Sequence, residues 1–244
     1  MTDESQTDRS EIITSRRDLL TGGAAVAGIS ALNFLDGPAN AAATKRQLKV
    51  PNEGDGRPTN SIRISFAGGN TGDWRVLRST TLIGEGLPPI RGLTMQVNAV
   101  PAVPNAVWTL EGVISNLRYT NGQELSELRR IQSPLARPEA TYASLIPIRK
   151  TKAWWDLPQD ERRAIFEERS HHTALGLQFL PQIARRLHHS HDIDQPFDFL
   201  TWFEYAPEHE SLFEALLVGL RGTEEWSYVD REIDIRLVLN ERKS

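Results

Sequence analysis

The sequence predicts an α+β fold in which helices pack on an antiparallel sheet, and three observations predict it. Strand-like and helix-like segments alternate through the second half of the chain. The last of them, Trp226 to Leu239, places Val229, Ile233, Ile235, Leu237 and Leu239 in the alternation of a half-buried strand. Before it, Leu212, Phe213, Leu216, Leu217 and Leu220 recur at three- and four-residue spacing, which puts them on one face of a helix.

The elements follow in order. Residues 44–60 are rich in Pro, Gly and charge and read as a flexible linker. Ser61 to Ala67 alternates as a strand, and Gly68-Gly69-Asn70 and Gly72-Asp73 mark turns. Prolines 88, 89, 101 and 104 predict irregular structure between Leu87 and Pro104. Val107 to Tyr119 reads as a strand, and Asn121-Gly122 is either its turn or the cap of a short helix through Gln132. Tyr142 to Ile148 is a strand buried on both faces. Helical sequence starts at Pro158, is disturbed at Gly176 and Pro181, and resumes toward Leu187. Phe197 to Tyr205 is a strand, and Pro207 opens the amphipathic helix. Strand, helices, strand, helix, strand is the second half of a ferredoxin-like unit, 141–244. Residues 61–140 supply a first half with further strands for the same sheet.

Composition removes several functions. A net charge of -4 leaves no basic footprint for nucleic acid. The absence of cysteine excludes disulfides, thiolate-bound iron and covalent C-x-x-C-H haem attachment, and methionine occurs only at 1 and 95. Residues 1–43 carry Arg16-Arg17, a small and apolar run from Gly22 to Leu35, and Ala39-Asn40-Ala41. The run is shorter than the roughly 20 residues that span a bilayer. The arrangement resembles a twin-arginine export signal, so the expectation is a periplasmic protein, free of the membrane once the leader is cleaved.

Chemistry concentrates between Ile148 and Glu225. Histidines 171, 172, 188, 189 and 191 fall there, with Lys150, Trp154, Trp155, Arg185, Arg186, Glu224 and Glu225. His188, His189 and His191 lack the acidic or cysteine partners that would complete a metal site, and read as a polar helix end. His209 reads as a surface residue. His172 leads into the apolar Leu175, Leu177, Phe179 and Leu180, where an imidazole is either a core residue or a ligand. Along one unbroken helix Arg185 would stand about 20 Å away, so Gly176 and Pro181 must redirect the chain if the two are to share a site.

Taken together, Ile146-Pro147-Ile148-Arg149-Lys150, Trp154-Trp155, Ser170-His171-His172, Ile183 to Leu187, Phe197 to Glu204 and Thr223-Glu224-Glu225 resemble the chlorite dismutase family, above all its short-chain, usually dimeric branch. The resemblance runs from about Ser61 to Arg236. It implies a ferredoxin-like fold of the dimeric α/β barrel type with a truncated N-terminal half, and a homodimer. It also implies a non-covalent haem b with His172 as the iron ligand and Glu225 accepting its other N–H. Lys150 would lie near that carboxylate, Trp154 and Trp155 beside the haem and its propionates, Arg185 as the distal cation, and Gln132 on the distal side. His171 and Arg186 are adjacent alternatives; the thirteen-residue interval of the family selects His172 with Arg185. The implied reaction turns chlorite into chloride and dioxygen through a ferryl species and hypochlorite that recombine. Two rivals are a coproheme decarboxylase-like enzyme, related but without the distal arginine, and a periplasmic haem carrier or sensor.

Overall fold

The computed structural model describes residues 62–97, 103–114 and 118–241. The expected leader, 1–43, and linker, 44–60, lie outside the described residues. Strands β1 (Arg63–Gly69), β2 (Trp74–Ile83), β3 (Gly92–Val97), β4 (Trp108–Val113), β5 (Tyr142–Lys150), β6 (Ala184–His189), β7 (Phe199–Tyr205) and β8 (Val229–Leu239) form one antiparallel sheet. Its neighbours run β1-β3-β2-β8-β5-β7-β6-β4, and β4 pairs with β1 to close a barrel. The expectation of an antiparallel sheet with helices holds; the closed barrel across both halves is what the sequence did not reveal.

Each strand alternates between two environments. Ile64, Phe66, Leu110, Leu145, Trp202 and Ile235 point into the barrel and form a core to which, among the described residues, no helix contributes. The opposite face of β5 and β7 presents Ile146, Ile148, Phe199 and Phe203 to a second apolar cluster. There helix α5 (Glu210–Arg221) buries Phe213, Leu216, Leu217 and Leu220, the residues whose spacing announced it. Full burial of such side chains contributes about 1.5–3 kcal/mol each, so α5 is held mainly by this face. The polar face of β8 is also covered. Asp234 accepts from Ser144 Oγ at 3.0 Å and from Arg236 Nε at 2.6 Å, while Arg221 of α5 reaches Glu232 at 2.6 Å.

The remaining helices are short: α1 (Gly122–Ile131), α2 (Lys152–Asp156), α3 (Gln159–Arg163), a π-helical turn Ala164–Arg169, and α4 (His172–Leu177). Asn121 is the cap of α1 rather than a hairpin turn. Its side chain accepts from the Glu124 amide at 2.9 Å and Glu124 accepts from the Asn121 amide at 3.0 Å, a reciprocal arrangement that satisfies two end donors. Among the described residues no helix is long and apolar enough to cross a membrane.

Three expectations need correction. The helix expected to resume toward Leu187 is strand β6, because Ala184, Arg186 and His188 are buried on one face while Arg185, Leu187 and His189 line a cavity on the other. The segment expected to be irregular contains β3, whose Leu93 and Met95 alternate into the barrel core. The strand expected through Tyr119 ends at Val113, and Tyr119 takes a left-handed conformation with φ of 63°.

Candidate functional site

A cavity opens between the outer face of β5, β6 and β7 and the helices α4 and α5. About 1150 Å³ of atom-free space lies there, counting the open solvent at its mouth. Its walls are mainly apolar, with Ile146, Ile148, Phe179, Leu187, Phe203 and Leu216 among them. His172, Arg185, Lys150, Trp154 and Glu225 all reach it.

His172 is the first residue of α4, and local structure fixes it there. His171 adopts φ of 51°, which breaks the preceding helix. Glu167, on the π-helical turn, accepts from the Thr173 amide at 2.6 Å and the Ala174 amide at 3.2 Å, supplying the acceptors that the start of α4 needs. Phe166 stacks on the imidazole with ring centroids 4.3 Å apart. The Nδ1 atom lies 2.6 Å from Glu225 Oε2, so it carries the proton and leaves Nε2 as the free donor atom.

Glu225 sits in a 3-10 turn, Glu224–Tyr228, held by its amide donating to Ser170 Oγ at 2.9 Å. Lys150 Nζ donates to Oε1 at 2.7 Å and to the Glu225 carbonyl at 3.2 Å, and lies 4.7 Å from the centre of the Trp154 ring. Burial would push this carboxyl up, but His172 and Lys150 outweigh it and hold it down at about 2. Glu225 is therefore an anion in a buried place, with a different partner on each oxygen.

Lys150 reaches the cavity because it follows Ile146 and Ile148 on one face of β5. Its amide donates to Asp198 Oδ2 at 2.6 Å. On β6, the Arg185 carbonyl accepts from Gln132 Nε2 at 3.0 Å.

The structure thus gathers His172, Glu225, Lys150, Trp154 and Arg185 around one cavity. Gln132 stands next to Arg185 but outside the lining, its amide engaged with the backbone. Trp155 is also outside it: its indole donates to Asp198 at 3.1 Å and stacks on His191 at 3.6 Å. His171 and Arg186 do not line the cavity.

The other histidines disperse. His188 packs edge-on against Phe66 inside the barrel and engages the Leu200 carbonyl at 2.9 Å; burial lowers it to about 3. His189 faces the cavity, and burial followed by the nearby Arg118 lowers it to about 4. His191 meets Asp198 at 2.6 Å. Among the described residues no cluster of three or more His, Cys, Asp or Glu side chains is placed to hold a metal ion.

Sequence reasoning passed over Asp198, Glu167, Phe166 and Arg118. Asp198 had a signal, an acid set between Phe197 and Phe199 where a buried strand begins. Arg118 lines the cavity and pairs with Asp192.

This donor set fits a haem. One imidazole nitrogen is committed to a buried anion, the other is free beside a large apolar cavity, and a guanidinium shares that space.

Comparison with known proteins agrees with the geometry. The family model described as chlorite dismutase matches residues 94–239, more than half of the chain. A chlorite dismutase from Ideonella dechloratans is 32% identical over 98 residues, 39% of this chain; the match spans only 33% of that relative's length. The solved structure of a dimeric chlorite dismutase from Nitrobacter winogradskyi is 51% identical with a TM-score of 0.68, covering 72% of this chain and 99% of that one. A variant of chlorite dismutase from Candidatus Nitrospira defluvii, 20% identical with a TM-score of 0.53 over 73% of this chain and 91% of that one, shares the fold. The chain belongs to the chlorite dismutase family.

Proposed function

We propose that this protein binds haem b through His172 Nε2 and converts chlorite to chloride and dioxygen. The observation that carries the proposal is that His172, already tied to Glu225, and Arg185 line the same cavity. When bound, haem supplies a redox-active iron with a coordination position open to an oxyanion.

The residues divide the work. Glu225 accepts the Nδ1 proton of His172, which fixes the tautomer and makes the imidazole a stronger donor. Lys150 balances the buried carboxylate and fixes its other oxygen. Arg185 presents a guanidinium to an apolar cavity and draws the chlorite anion into it. The same guanidinium would keep chlorine oxyanions in the cavity until chloride and dioxygen leave. A charge pair at 4 Å and an effective dielectric near 20 is worth about 4 kcal/mol before desolvation, enough to favour retention over escape.

Three further readings belong to this proposal. The order β5, helices, β6, β7, α5, β8 supports a ferredoxin-like second half. The dimeric state of the Nitrobacter winogradskyi protein supports a homodimer. Arg16-Arg17 and the apolar run before Ala39-Asn40-Ala41 support export to the periplasm.

An oxygen electrode tests the central reading. Haem-loaded protein given chlorite is expected to release dioxygen and chloride in equal amounts. Bound haem without dioxygen release would leave a carrier or sensor and overturn the assigned reaction.

A further inference from the structure

We infer that Asp198 is a positioning residue for the iron ligand. It fixes Lys150 through the peptide, and so sets how strongly Glu225 pulls on the proton of His172. The inference rests on the reading of His172 as the ligand.

Asp198 directly precedes β7 and is 6% exposed. Its backbone ties two strand ends together: its amide donates to the Ile148 carbonyl at 2.9 Å, and its carbonyl accepts from the amides of Ser190 at 2.8 Å and His191 at 3.2 Å. Its carboxylate is fully engaged. Oδ2 accepts from the Lys150 amide at 2.6 Å and the Trp155 indole at 3.1 Å, and Oδ1 meets His191 Nδ1 at 2.6 Å.

The Lys150 amide needs this acceptor because Lys150 lies past the end of the β5–β7 ladder, whose last pair is Ile148 with Phe199. An amide past the ladder has no strand carbonyl on that side, and a carboxylate supplies a bond roughly twice as strong as a neutral one. The consequence runs in direct contacts. Asp198 holds the Lys150 peptide at 2.6 Å, Lys150 holds Glu225 at 2.7 Å, and Glu225 holds His172 at 2.6 Å. With the peptide released, the end of β5 relaxes and Nζ is no longer aimed at Oε1. Glu225, less neutralised, then draws the imidazole proton more strongly and makes His172 a stronger donor.

The test is spectroelectrochemistry of the haem-loaded full chain, with the ferric/ferrous midpoint as the readout and thermal melting beside it. Lys150→Met is expected to shift the midpoint to more negative potential. Asp198→Asn is expected to shift it in the same direction by less, and the double variant no further than Lys150→Met alone, since both act through one ammonium. Asp198→Ser gives the same comparison should the amide be rejected by the fold. A lowered Tm with a wild-type midpoint in Asp198→Asn, or shifts that add in full, would overturn the role and leave Asp198 a stabilising residue only. An unmoved midpoint in Lys150→Met overturns the His172 reading and the role of Asp198 with it. A moved midpoint there, with none in either Asp198 variant, overturns the role of Asp198 alone.

Discussion

The Nδ1 atom of His172 lies 2.6 Å from Oε2 of Glu225, and this contact determines which ring nitrogen the protein leaves free. An imidazole whose Nδ1 proton is given to a buried carboxylate has its Nε2 lone pair available, and His172 lines the cavity.

Replacing that imidazole tests the ligand directly. His172→Ala is expected to weaken haem binding by more than about 100-fold, beyond the 10–100-fold typical of a residue that only supports a ligand. Haem titration followed at the Soret band measures it. A full-occupancy ferric spectrum with wild-type affinity would remove His172 from the site.

Removing the carboxylate has two expected effects. Glu225→Ala takes away the acceptor of the His172 proton, so the ferric/ferrous midpoint rises. It also strands Lys150, whose side chain is 1% exposed, and breaking a buried pair in this way costs about 3–5 kcal/mol. Spectroelectrochemistry and urea denaturation read the two separately. A wild-type midpoint would place Glu225 outside the iron's influence whatever happens to stability.

Arg185 is expected to matter for chemistry and little for haem binding. Arg185→Ala should retain the Soret band, lose about 100-fold in kcat/KM as expected for deletion of a group that stabilises developing charge, and release hypochlorite to a chlorination trap. Unchanged turnover with no trapped hypochlorite would take the cation out of the mechanism.

How much of this was legible in the sequence follows from the pattern each element carries. Helix α5 shows one apolar face, and β8 sets Ile233, Ile235 and Leu237 against Glu232, Asp234 and Arg236, so both declare their period. Strand β6 does not. Arg185, Arg186, His188 and His189 are polar on both faces, because one face lines a cavity for a charged ligand and the other buries Arg186 and His188 within the barrel. Polarity that function requires hides the alternation, and residues around Arg185 read as helix. His172, Glu225 and Lys150 were singled out through the family resemblance that the order and spacing of the motifs carry. Asp198 was not, because an acid between Phe197 and Phe199 stands out without saying what it holds: its partner is an amide at the end of β5, far away in sequence. Trp155 lies beside Trp154 in sequence, yet α2 turns the two indoles to different surroundings, one to Lys150 and one to Asp198.

Acid sensitivity follows from the two histidines of β6. Burial lowers His188 to about 3 and His189 to about 4, against an ordinary value near 6.5 in the unfolded chain. Above pH 6.5 both are neutral in either state and their contribution to stability is intact. As the pH falls below 6.5 the unfolded chain takes up protons that the folded barrel refuses, so stability falls through the window from 6.5 toward 4 and 3, by up to about 1.4 kcal/mol per pH unit for each histidine. His189 Nδ1 has no hydrogen-bond partner among the described residues, so His189→Leu removes one titrating group without stranding another of them. Urea denaturation of the full chain at pH 7, 6 and 5 is expected to show a steady loss in the wild type and roughly half that slope in His189→Leu. Equal slopes in the two proteins would mean that His189 is protonated in the folded state as readily as in the unfolded one.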